Sequence, residues 1–229
     1  MAKAPGKRSG YGLVMGLLLG GEFITAGGPA LGQTGVEVGN EQQPSISVHV
    51  YNYAQFSYTL LREAEDEAAG IFHAAGVEIA WTNCNPAITD LPNVSRCAQF
   101  LDPVDLRVRL LPDIGTPPGS RRRPMGTAIG NLASVSLCRV RDDATESRVM
   151  PQVVLGPVLA HEIGHLLLGP GGHSARGIMR PCWRPEDYKP PLLRTLSFTP
   201  EQPRSISAEL RKRVQKQVVA APLTATASH

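Results

Sequence analysis

Residues 155–168 read LGPVLAHEIGHLLL, a segment that predicts an apolar helix with one polar side. At about 100° per residue, His161 and His165 fall on the same side of such a helix, one turn apart. The segment is apolar except for these two histidines and Glu162, and burying the three without partners would be costly. A bound cation would satisfy all three side chains. The segment therefore predicts a metal site on a helix that packs against a sheet.

Two neutral imidazoles at positions i and i+4 are suited to zinc. Glu162 lies beside the histidine side of the helix, where its carboxylate can bond a water on the metal rather than the metal itself. In that position it can take a proton from the water as the water attacks a carbonyl, and pass the proton to the leaving amine. The pattern predicts a hydrolytic zinc site with Zn²⁺ as its cofactor.

A catalytic zinc needs a third protein ligand and an open position. The run Gly169-Pro170-Gly171-Gly172 predicts an abrupt end of the helix, after which the chain presents His173. Glu186 is the alternative, because some zinc enzymes take a glutamate from a second helix. The proline-rich residues 180–185 are a poor scaffold for such a helix, so His173 is the preferred third ligand and Glu186 stays open.

The motif HEIGHLLLGPGGHS at 161–174, followed by GIM at 177–179, resembles the metzincin clan of zinc endopeptidases, in particular the matrixins. Proteins of this clan carry an HExxHxxGxxH motif and a methionine turn beneath the metal. The resemblance implies that His161, His165 and His173 are the zinc ligands, that Glu162 is the general base and that Met179 is the turn methionine. The spacing is divergent, because the clan has three residue steps on each side of the glycine and this chain has four and four.

In relatives, an extended substrate pairs antiparallel with the edge strand of the sheet above the metal. By its position, the substrate-binding edge strand is expected to comprise Asn131, Leu132, Ala133, Ser134, Val135 and Ser136. An interior strand is the alternative for this segment.

The whole chain predicts an α+β, metzincin-like fold. We expect a mixed twisted sheet of about four or five strands, two long helices of which the second carries the zinc motif, a methionine turn and a C-terminal helix. The apolar patterns predict strands over residues 46–51, 77–81, 106–111 and 133–140, and helices over residues 57–75, 155–168 and 199–218.

The N-terminus has basic residues, a short apolar stretch and then small residues, as is typical of a secretory signal peptide. We expect a signal peptide at 1–32, a linker at 33–44, a zinc metallopeptidase-like catalytic domain at 45–218 and a disordered tail at 219–229. The apolar stretch is too short for a permanent membrane span. Without residues 1–32 the chain has 20 basic and 19 acidic residues, which gives no reason to expect a nucleic-acid partner.

Four cysteines follow the predicted signal peptide, and an even number in an exported chain favours two disulfides. The preferred pairs are Cys84–Cys97 and Cys138–Cys182. The sequence thus predicts a secreted or periplasmic monomer that cleaves proteins or peptides. The alternative is a zinc-binding or protein-binding module of the same fold with little or no turnover, although binding alone does not need Glu162.

Overall fold

The structure is a computed structural model and describes residues 43–84, 97, 104–116 and 123–220. In these residues five strands form one sheet with the order β2-β1-β3-β5-β4. The strands are β1 (Ser45–Asn52), β2 (Glu78–Cys84), β3 (Leu106–Leu111), β4 (Gly126–Ile129) and β5 (Leu132–Ser136). The helices are α1 (Tyr58–His73), α2 (Leu137–Ser147), α3 (Pro151–Leu168) and α4 (Gln202–Ala220), and two short 3₁₀ helices cover Pro185–Tyr188 and Leu192–Thr195.

The sheet is mixed. β1 pairs in parallel with β2 and β3, and β3 pairs in parallel with β5, whereas β4 pairs antiparallel with β5. Alternate side chains of the central strands enter the core, for example Val48 and Val50 of β1 and Val108 of β3, each with no exposed surface. The predicted α+β fold with a mixed sheet is confirmed.

Helix α3 packs against α1 and against β3, β4 and β5, so it lies on the core face of the sheet. Pro151 starts the helix at a position where its missing N–H is not needed. A Cβ added at Gly156 would overlap Glu67 and press on the Ala64 carbonyl of α1, so this glycine permits the close approach of the two helices. The observed α3 contains the predicted helix and begins four residues earlier.

The segment predicted as one strand over 133–140 divides at Ser136. β5 ends there and α2 begins at Leu137, so the prediction is wrong for the last four residues. Leu137, Val140 and Ala144 are all buried, and their spacing of three and then four residues is that of a helix. The apolar residues after Ser136 thus form the buried face of a helix, and not the continuation of the strand.

The C-terminal helix was predicted from Thr199 and begins at Gln202 instead. The Thr199 N–H donates to Gln202 Oε1 at 2.8 Å and the Gln202 N–H donates to the Thr199 carbonyl at 3.1 Å, so two reciprocal hydrogen bonds join these residues at the start of the helix. Ile206 and Leu210 anchor the helix in the core. None of the described helices is long and apolar enough to cross a membrane. The predictions for residues 1–42 and 221–229 lie outside the described residues.

Candidate metal centre

The three histidines singled out from the sequence lie together. His165 Nε2 is 3.0 Å from His161 Nε2 and 3.1 Å from His173 Nε2. Two of the residues are on consecutive turns of α3, and the third arrives from the loop that follows. In the described part of the chain, these three histidines form a group whose potential ligand atoms all lie within 4.8 Å of one another.

The hydrogen bond made by Nδ1 determines the tautomer of His161. Its Nδ1 lies 2.8 Å from the carbonyl oxygen of Ile178, and because a carbonyl only accepts, Nδ1 carries the hydrogen. Its Nε2 is then an unprotonated nitrogen that faces the other two rings. Burial lowers the pKa of His161 to about 4 and also lowers the pKa of His165, which favours the neutral form of both imidazoles.

The geometry fits a tetrahedral metal ion. Three nitrogens at about 2.0–2.1 Å from one zinc ion would lie about 3.3 Å from one another. The observed separations of 3.0 and 3.1 Å are within a few tenths of an ångström of that value. Neutral rings with lone pairs directed at one point repel one another unless a proton or a cation lies between them, so the donor set suits a cation.

The loop before His173 is longer than the metzincin pattern and still brings the third imidazole to the cluster. Gly169 has φ +79°, a conformation that favours glycine, and the Gly172 N–H donates to the Gly169 carbonyl at 3.0 Å. The chain therefore reverses within four residues of the end of α3. The two extra residues are absorbed in this turn.

The predicted turn methionine, Met179, is fully buried. A Cβ added at Gly164 would overlap Met179 Sδ, so the methionine lies directly against α3 at the residue before His165. The Ser174 N–H donates to the Met179 carbonyl at 3.0 Å. The segment around Met179 thus contacts both the helix and the loop that hold the histidines.

Glu162 extends from α3 towards the edge strand β4. Its side chain is largely buried, and a Cβ added at Gly126 would overlap its carboxyl group. Burial raises the pKa of Glu162 to about 8. A cation bound at the neighbouring histidines would favour the carboxylate and lower this pKa again.

A cleft of about 660 Å³ opens above the cluster, and Glu162 and all three histidines line it. One side is formed by β4 and the other by residues 180–183. On that second side the Trp183 ring meets the His161 ring edge-to-face at 5.3 Å between centroids. The cleft is therefore a trough between a sheet edge and the segment after Met179, with the imidazoles in its floor.

The edge-strand prediction is wrong. β5, which contains most of the segment 131–136, lies between β3 and β4, and β4 is the edge strand on that side of the sheet. β4 was not predicted because its residues, Gly-Thr-Ala-Ile, are few and only weakly apolar. Glu186 lies in the 3₁₀ helix, is exposed, and does not belong to the histidine cluster.

Cysteine pairing is as predicted in one case and not in the other. Cys84 and Cys97 form a disulfide. Cys138 and Cys182 do not: Cys138 lies in the first turn of α2 with its Sγ 3.3 Å from Ser136 Oγ, whereas Cys182 lines the cleft. Cys138 thus belongs to α2, and Cys182 belongs to the segment after Met179.

Three residues in or next to the site are not predicted from the sequence. Gly126 lacks any local signal, and Trp183 is recognisable only as an aromatic residue four positions after Met179. Gln202 falls in the predicted C-terminal helix, and nothing in that pattern predicts that its Nε2 donates to the Gly172 carbonyl at 3.2 Å.

The sequence matches no protein-family model and no curated protein. Among solved structures, the chain is similar to archaemetzincin from Methanopyrus kandleri, with 15% sequence identity over 73% of this chain and 96% of that one and a TM-score of 0.49. A likeness this distant does not assign an activity.

Proposed function

We propose that this protein is a zinc-dependent endopeptidase of the metzincin type that acts outside the cytoplasm. The observation that carries the proposal is the convergence of three Nε2 atoms at 3.0 and 3.1 Å in the floor of an open cleft, with a buried carboxyl group beside them.

His161, His165 and His173 would hold the metal. A zinc ion with three imidazole ligands supplies a Lewis acid with an open position and makes water acidic near neutral pH. The Ile178 carbonyl fixes the ring of His161 through Nδ1, which leaves Nε2 as the donor atom.

Glu162 is the proposed general base. Its carboxyl group lines the cleft and is held against the backbone of Gly126, which limits where it can point. From there it takes a proton from the attacking water at a carboxylate oxygen and returns it to the nitrogen of the leaving amine. The Glu162 side chain has little contact with bulk solvent, which strengthens its interactions with nearby charge.

The exposed edge of the sheet favours a polypeptide substrate over a small molecule. β4 lines the cleft and, among the described strands, has a neighbour only on the side of β5. An extended peptide can add to such an edge through main-chain hydrogen bonds, which are independent of its sequence. The scissile carbonyl would then lie over the histidines, with Glu162 beside it.

Two features support action outside the cytoplasm. Disulfides persist mainly in oxidising compartments, and Cys84–Cys97 is formed. The first 32 residues also have the pattern of a secretory signal peptide.

The test compares the zinc content of the purified protein and its cleavage of casein and gelatin with those of Glu162→Gln. The matched control is Glu146→Gln, the same change at an exposed residue of α2. We expect one zinc per chain in all three proteins and loss of cleavage only in Glu162→Gln. A wild type without bound zinc, or cleavage by Glu162→Gln at the wild-type rate, would overturn the proposal.

A further inference from the structure

Gln202, the first residue of α4, connects two separate segments through its side-chain amide. Its Oε1 accepts the Thr199 N–H at 2.8 Å, and its Nε2 donates to the Gly172 carbonyl at 3.2 Å. The first contact is local to the start of the helix. The second crosses 30 residues of sequence to the loop that follows α3.

Gly172 is the residue directly before His173, so the bond from Gln202 holds the peptide unit that leads into the third imidazole. On the other side of His173, the Ser174 N–H donates to the Met179 carbonyl at 3.0 Å. The backbone of His173 is therefore fixed from both sides, by α4 before it and by the Met179 segment after it.

The loop between α3 and His173 requires hydrogen bonds from other segments to hold one conformation. It consists of Gly169, Pro170, Gly171 and Gly172, and glycine loses more backbone entropy than any other residue when it is ordered. His173 is exposed, whereas His161 and His165 are held on a helix, so side-chain packing does little to place it. The position of the third ring depends on hydrogen bonds to the loop backbone.

Helix α4 is itself well anchored and can serve as a fixed support. Arg213 donates to the Leu166 carbonyl at 2.6 Å and to Asn131 Oδ1 at 3.0 Å, which ties α4 to the end of α3 and to the β4–β5 turn. Its own side chains Ile206 and Leu210 are buried in the core.

We propose that Gln202 is a positioning residue for the third metal ligand: through the Gly172 carbonyl it holds His173 where the imidazole completes the metal site. This inference rests on the proposed zinc site. Gln202 does not contact the metal position or the substrate, and its effect is on the affinity and geometry of the bound metal.

The test is Gln202→Met, which keeps the length of the side chain and removes both hydrogen bonds. Gln215→Met is the matched control, because Gln215 is an exposed residue of the same helix. Three quantities are measured on each protein: the zinc dissociation constant by competition with a chelator, the visible absorption spectrum of the Co²⁺-substituted form, and the thermal unfolding of the metal-free form.

For Gln202→Met we expect zinc affinity to fall roughly tenfold or more and the Co²⁺ spectrum to change, as is typical when a residue behind a ligand is removed. Gln215→Met is expected to match wild type. Equal zinc affinity in wild type and Gln202→Met overturns the inference while the proposed function stands. A loss of affinity that is matched by unfolding of the metal-free variant at the assay temperature also overturns it, whereas a wild type that binds no zinc overturns the proposed function itself.

Discussion

Gly126 of the edge strand lies so close to the carboxyl group of Glu162 that no side chain fits between them. Gly126 belongs to β4, which forms one side of the cleft, and Glu162 belongs to α3 in its floor. The contact sets the direction of the carboxyl group and places it at the sheet edge where a substrate backbone would run.

Gly126→Ala is therefore expected to displace Glu162 and to reduce kcat/KM for casein-derived peptides by about tenfold or more, since small shifts of a catalytic group are costly. Zinc content should remain at the wild-type level, because the atoms nearest to the added methyl group belong to Glu162 and not to a histidine. Gly70→Ala is the control: a Cβ at that position in α1 meets nothing within 4 Å, and the change should stabilise the protein by about 0.5–1 kcal/mol. Full activity in Gly126→Ala would show that the contact does not orient Glu162.

The choice between His173 and Glu186 as third ligand can be tested directly. We expect His173→Ala to lose most of its zinc affinity and Glu186→Gln to retain it, because only His173 is in the cluster and Glu186 is exposed in a 3₁₀ helix. Isothermal titration of the metal-free proteins with zinc gives the comparison. The opposite result, with zinc lost in Glu186→Gln, would assign the ligand to the glutamate.

Glu65 gives a prediction for the pH dependence of stability. Its side chain in α1 is fully buried, accepts hydrogen bonds from Arg62 and Asn83 at 3.2 Å each, and leaves Oε1 without a partner. Burial raises its pKa from 4.5 to about 7. The folded protein thus binds this proton more tightly than the unfolded chain, and the free energy of unfolding falls as the pH rises from about 4.5 to about 7.

Glu65→Gln removes this titration. Near pH 4 the variant and wild type should be about equally stable, and at pH 8 the variant should be more stable by about 1–3 kcal/mol. Urea unfolding of the metal-free proteins at both pH values measures the difference. A difference that does not change with pH would mean that the pKa of Glu65 is the same in the folded and the unfolded protein.

The disulfide pattern predicts a thiol count. Denatured, unreduced protein should contain two reactive thiols, those of Cys138 and Cys182. Replacing Cys84 and Cys97 together by serine opens a loop with a sequence separation of 13 and should lower the free energy of unfolding by about 3 kcal/mol. Finding no reactive thiol would support the second pair that the sequence favoured.

The local pattern of α3 was readable from the sequence because it depends only on helix geometry. His161 and His165 are four residues apart, so any helix there places them on one side, whatever surrounds it. The apolar residues around them likewise required burial against a sheet. The end of the helix at Gly169 followed from glycine and proline alone.

Other features were decided by contacts between distant segments. Leu137 and Val140 fit either a strand or a helix locally, and burial against the neighbouring elements selects the helix. Which strand forms the edge of the sheet depends on pairing order, which no single segment contains, and so β4 rather than β5 borders the cleft.

Two imidazoles and a carboxylate on one apolar helix were thus predictable from the sequence alone, because their relative positions are set by a single regular element. Three other features depend on tertiary contacts: His173 joins the cluster across a longer loop, Gln202 donates a hydrogen bond to that loop, and Gly126 faces Glu162. These contacts join residues far apart in the chain, and they exist only once the core has fixed α3, α4 and the sheet relative to one another.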